Sequence, residues 1–96
     1  DKYGGHCAYC GKVLDLKTLR VDHLHPHYRG GEDSFENYMP ACYQCNFYKS
    51  TLLLEEFREQ MSTLHERISK PFIARLGLDY GIIEIKPFDG KFYFEE

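Results

Sequence analysis

Two cysteine pairs, Cys7-Ala8-Tyr9-Cys10 and Cys42-Tyr43-Gln44-Cys45, constrain this chain more than anything else in it. Two residues between ligands let one tight turn aim both sulfurs at the same ion, so paired C-x-x-C knuckles supply the four thiolates of a tetrahedral structural zinc. Two disulfides, or a redox C-x-x-C, are the competing readings of the same residues. At 96 residues the chain is expected to form a single domain over 1–96, since two halves could not each bury a core. Domains this small commonly need a metal, disulfides or a partner to be stable. Seven Phe and eight Tyr within a 43% apolar composition argue that it folds.

A formal charge of −3 is unusual for a protein that meets nucleic acid, and its distribution matters more than its sum. Residues 1–50 hold six basic side chains (Lys2, Lys12, Lys17, Arg20, Arg29, Lys49) against six acidic ones, so the deficit lies entirely in 51–96. Four thiolates on one zinc would add two negative charges to the first half. Broad electrostatic attraction to DNA is therefore weak, and affinity has to come from a few local contacts or from a partner. No apolar run of membrane-spanning or signal-peptide length occurs, so the sequence gives no reason to place the chain outside the cytoplasm or at a membrane.

Residues 1–50 form the chemical part, and 51–96 read as a helical and hairpin extension. Thr51 is a candidate cap for an amphipathic helix whose apolar positions Leu53, Phe57, Met61, Leu64 and Ile68 recur every three or four residues, with Pro71 as its bound. A short helical turn is expected near 72–76. Ile82–Lys86 and Lys91–Glu95 read as two strands around Asp89-Gly90, which supplies the positive φ of a tight turn, giving a C-terminal β-hairpin.

Thirty-one residues separate Cys10 from Cys42, more than the roughly 15–20 of a simple zinc ribbon, so something is inserted there. The insert contains Val21-Asp22-His23-Leu24-His25-Pro26-His27-Tyr28-Arg29-Gly30-Gly31 and later Glu36-Asn37-Tyr38-Met39-Pro40-Ala41, and the second knuckle runs on into Asn46-Phe47-Tyr48-Lys49. The order is a C-x-x-C knuckle, Asp-His followed by Pro and Gly-Gly, an Asn before the second knuckle, and Cys-Asn-x-x-Lys closing it. On these motifs, from about Cys7 to Ser50, the chain resembles the HNH endonuclease family in its four-cysteine, zinc-stabilised branch. The third motif position is Asn46 instead of His, a variant in which an amide oxygen serves as metal ligand.

The resemblance implies an α+β fold with a ββα-metal (His-Me finger) core: a strand over Val21–Leu24, a return strand around 37–41 and a helix over Tyr43–Ser50. It implies a metal-dependent DNA endonuclease in which Asp22 and Asn46 bind one catalytic ion, His23 is the general base and Asn37 steadies the loop that orients the imidazole. A non-catalytic zinc module that binds nucleic acid or protein is the alternative.

The chemistry agrees. Phosphodiester hydrolysis builds charge on phosphoryl oxygens, which a hard ion on oxygen ligands neutralises, favouring Mg2+ or Mn2+ over a second zinc. An imidazole can take a proton from water at neutral pH. Neighbouring strand residues point to opposite faces, so Asp22 and His23 can share a site only if the strand ends or bends between them. Lys49 and Arg29 are candidate phosphate contacts. His25 and His27 are assigned to surface or DNA-facing positions; His6 is surplus to a filled four-thiolate site, and His65 falls in the packing helix. Target specificity is expected from the second half, from a larger parent chain or from a protein partner; the oligomeric state is open.

Overall fold

The computed structural model describes residues 2–96. It divides into two compact units: one runs from the N-terminal segment to Phe57 and takes in Lys91–Glu96, and the other is Arg58–Gly90.

The first unit is built on an antiparallel pair, β1 (Arg20–His23) and β2 (Tyr38–Ala41), with Asp22 opposite Met39 and His23 opposite Tyr38. Helix α1 (Tyr43–Lys49) follows β2 after the single residue Cys42. This is the expected ββα order, with boundaries within a residue or two of the sequence reading. Pro40 is tolerated because each strand of a two-stranded sheet is an edge; its carbonyl accepts from the Ala8 amide at 2.8 Å, which joins the first knuckle to β2. The core is small: Cys7, Ala8, Tyr9, Met39, Ala41, Phe57 and Phe92 are all nearly or fully buried. Phe57 and Phe92 stack at 5.0 Å, and Tyr9 packs edge-on against both.

Two glycines are dictated by space. Gly11 closes the first knuckle at φ +80, and a Cβ there would come within 2.7 Å of the Tyr93 ring. Gly31 ends the turn after His27–Arg29, where a Cβ would lie 1.7 Å from the His25 carbonyl oxygen. Only hydrogen fits there.

The C-terminal hairpin of the sequence reading does not form. Tyr93 and Phe94 give their backbone N–H groups to the carbonyls of Tyr9 and Ala8, at 3.0 and 2.8 Å, and Tyr93–Glu95 is a 3₁₀ turn. Donors spent on the knuckle are not available to a ladder with 82–86. The shared face of Phe92 and Phe94 survives nonetheless, since both rings approach Tyr9.

The long amphipathic helix is also two helices, α2 (Leu54–Ser62) and α3 (Leu64–Ser69). The Ser62 and Thr63 hydroxyls turn back onto the carbonyls of Arg58 and Gln60, and such bonds compete with the helical ladder. Thr51 is not the cap: the Glu56 carboxylate reaches back to the Leu53 N–H at 2.8 Å. In the second unit, α4 (Phe72–Asp79) follows Pro71 and runs longer than the single turn expected, and the amides of Ile82 and Ile83 close onto the Gly77 carbonyl. No helix of the described residues is long and apolar enough to cross a membrane.

Gly31→Ala is expected to destabilise the first unit by at least about 2 kcal/mol, because the new methyl meets backbone and not a yielding side chain. Denaturant titration at fixed zinc measures this; an unchanged midpoint would contradict it.

Candidate active site

The four cysteines converge. All are free thiols, and their sulfur atoms lie within 4.8 Å of one another. Cys10 Sγ and Cys42 Sγ are 3.8 Å apart, which matches the edge of a tetrahedron with bonds of about 2.3 Å to a central zinc, roughly 3.8 Å. The cluster thus fits a structural zinc. It also splits the thiols: a hydrogen bond from Cys45 holds Cys7 at about 4, and the same contact pushes Cys45 up. Sulfurs packed this closely share protons unevenly until a cation replaces them. His6 is not a ligand; its Nδ1 bonds the Gly11 carbonyl at 2.8 Å and its ring stacks on Tyr93.

A cleft of about 200 Å³ opens beside this tie, lined by Asp22, His23, Pro26, His27, Asn46 and Ser50 among others. Asp22 and His23 both line it as the last two residues of β1, opposite Met39 and Tyr38, so the strand does not end between them. Asn46 reaches it from α1, and Ser50, the residue that caps the helix end, lines it as well. Among the described residues, no protein group takes the Asn46 side-chain amide in a hydrogen bond.

Asp22 is only 4% exposed, and one of its oxygens is held twice: Oδ2 accepts from the Tyr9 hydroxyl and lies 3.2 Å from the Lys49 ammonium. Burial pushes the Asp22 carboxyl up, against the pull of Tyr9 and Lys49. Burial and the Asp22 charge raise the Tyr9 phenol, so it stays protonated and donates. Lys49 is 0% exposed and also donates to the His23 carbonyl at 2.9 Å. The phosphate contact expected of Lys49 needs an ammonium in solvent, and this one is sealed in the core. Arg29 is engaged as well: its guanidinium grips both Glu56 oxygens at 3.0 and 3.3 Å and bonds the Thr51 carbonyl.

His23 is 27% exposed and its Nε2 lies 2.7 Å from Asp33 Oδ1. That contact holds the Asp33 carboxyl below its usual range, so it is ionised and accepts. Nε2 therefore carries the hydrogen, and the lone pair of the neutral ring is on Nδ1. Asn37 clamps the insert: its Oδ1 accepts from the His25 N–H at 2.8 Å, and its Nδ2 donates to the carbonyls of His25 and Glu32 at 3.0 and 2.8 Å. His25 bonds the Arg29 carbonyl through Nε2, and His27 stands 3.7 Å from Asp33. The three histidines form no metal set with neighbouring acids or thiols; among the described residues only the cysteines gather that way.

Sequence reasoning missed Tyr9 and Asp33. Tyr9 lies inside the knuckle motif, where its type carries no ligand signal. Asp33 sits in the connection between strands, where spacing fixes nothing.

Fold and site together define a zinc-stapled ββα-metal domain. Residues 7–51, just under half of the chain, match the family model of HNH endonucleases. No curated protein matches the chain.

Two outcomes are expected here. Stripping zinc with a strong chelator should collapse the tertiary signals of the first unit in near-UV circular dichroism, with recovery on adding one equivalent, because structural zinc contributes folding free energy directly. Retained signals after verified zinc removal would refute the tie. Lys49→Met leaves Asp22 buried without its cation and should cost about 3 kcal/mol at neutral pH. The loss of Lys49 raises an already raised Asp22 carboxyl further, so the folded state binds the proton more tightly than the unfolded one. Stability of the variant relative to wild type, compared at each pH, should therefore recover as pH falls through that raised value. A pH-independent difference would argue against the pairing.

Proposed function

We propose that the chain is a metal-dependent DNA endonuclease that hydrolyses phosphodiester bonds, by nicking or by double-strand cleavage. The observation that carries this reading is the meeting of Asp22, His23 and the unpartnered Asn46 amide on one cleft inside the family-matched segment. A buried carboxylate and a free amide oxygen are hard donors, and they suit a catalytic Mg2+ or Mn2+ better than a second zinc. A divalent ion held by Asp22 and Asn46 would supply positive charge against the phosphoryl oxygens.

The remaining work falls to the side chains. His23 is the general base, taking a proton from the attacking water at Nδ1 while Asp33 keeps the hydrogen on Nε2. Asn37 holds the 25–32 loop and so fixes the surroundings of the imidazole. Pro26 and His27 wall the cleft on the loop side. The family match makes DNA the partner of this reading, with a larger parent chain or a protein partner supplying target choice. The free, clustered thiols support a reducing compartment, in keeping with a cytoplasmic activity.

Incubation with plasmid and Mg2+ or Mn2+ should yield open-circular or linear product. His23→Ala should slow this by at least about 100-fold, the usual contribution of a general base, while the protein keeps its zinc and its fold. Cleavage by the variant at the wild-type rate would overturn the assigned mechanism.

A further inference from the structure

The two groups that hold Asp22 both grow out of the zinc knuckles. Tyr9 lies between the ligands Cys7 and Cys10, in a turn fixed by the Gly11 N–H on the Cys7 carbonyl and by the Ala8 N–H on the Pro40 carbonyl. Lys49 stands one helical turn beyond the ligand Cys45, on the same side of α1. Both approach the same oxygen of Asp22, Oδ2. The Tyr9 ring is itself locked edge-on against Phe57, Phe92 and Phe94. Its hydroxyl has little freedom to follow a carboxylate that rotates.

We infer that Tyr9 is a positioning residue that couples the structural zinc to the catalytic ion: it pins one oxygen of Asp22 so that the other alone is offered to the cleft. The inference rests on the reading of Asp22 as an ion ligand. A carboxylate with both oxygens free can chelate an ion through two atoms or turn away from it. Two donors on Oδ2 remove that choice and pre-pay the rotational entropy of binding. A small ion that demands near-octahedral geometry and keeps several waters is served best by one oxygen from such a group. Partners that orient a ligand without touching the ion typically change metal affinity or activity by about 10–100-fold. The zinc acts at a distance here through rigid geometry, because the knuckle that it closes is the turn that carries the phenol.

The test is Mn2+ affinity, measured by electron paramagnetic resonance on the zinc-loaded full chain, with zinc content and circular dichroism recorded alongside. Tyr9→Phe removes only the hydroxyl and leaves the ring in its packing. It should retain one zinc and native spectra, and bind Mn2+ about tenfold more weakly. Its cleavage rate should recover toward wild type as Mn2+ is raised, which a merely damaged fold would not do. Phe92→Leu is the packing control: it loosens the surroundings of the ring without touching the hydroxyl, and should lower stability while leaving Mn2+ affinity within about twofold, well inside the range of an orienting partner. Wild-type Mn2+ affinity in Tyr9→Phe overturns the inference, as does an equal loss in Phe92→Leu. Asp22→Asn separates the two levels of the argument. If it abolishes Mn2+ binding while Tyr9→Phe leaves binding unchanged, the coupling fails and the ligand assignment stands; if it too binds normally, the ligand assignment itself fails.

Discussion

Four sulfur atoms drawn to one point make the rest of this structure possible. The sheet has two strands of four residues each, a size that is marginal in water without further support. The buried apolar set is equally thin, with Phe57, Phe92, Met39 and Tyr9 its largest members. What closes the unit is the tie between Cys7-x-x-Cys10 and Cys42-x-x-Cys45, which removes the closure entropy of the long insert between them. β2 leads straight into Cys42, and the first knuckle is hydrogen-bonded to β2 through Pro40. The tie therefore sets the position of both strands and of α1 at once.

The cleft inherits its geometry from that arrangement. A carboxylate and an ammonium are both buried in a core with few atoms to spare, although two buried charges seldom repay their desolvation by mutual attraction alone. A well-packed apolar pair would serve stability at least as well. Departures of this kind from local rules gather at functional sites, and here the buried pair of Asp22 and Lys49 lies at the cleft that Asp22 lines. The strand ends where a polar neighbour must turn outward. His23, the last residue of the ladder, turns its ring to Asp33.

Much of this was legible in the residues, and the parts that were not share a cause. The knuckles follow from spacing and residue type, while the ββα order and the loop-steadying part of Asn37 came with the family resemblance. Lys49 was read as a phosphate contact, since a lysine in the last helical turn is ordinarily solvated, and it is buried; its place four residues after Cys45 was the available sign that it faces inward. The C-terminal hairpin failed because strand propensity cannot say which partner claims a backbone donor, and the knuckle carbonyls of Ala8 and Tyr9 claimed those of Phe94 and Tyr93. The helix break at Ser62-Thr63 came from two hydroxyls that a count of apolar positions ignores. Asp33 and Tyr9 depend on contacts across the fold, and no local pattern encodes them.

The same internal pairing bears on how a polyanion would approach the cleft under the proposed reading. Lys49 is neutralised by Asp22, and Arg29 is gripped by Glu56 through both guanidinium arms. Lys49 is thus spent in the core and Arg29 in a surface pair, in a first half whose formal charges already balance. Fixed side chains leave little positive potential to draw a phosphodiester in. An ion on Asp22 and Asn46 would then supply both the attraction that seats the phosphate and the charge that activates it. Binding of DNA at the cleft and binding of the ion would be thermodynamically linked, each raising the affinity for the other by the same factor. A site organised in this way has little hold on nucleic acid until the ion is in place, which suits a chain whose overall charge is negative.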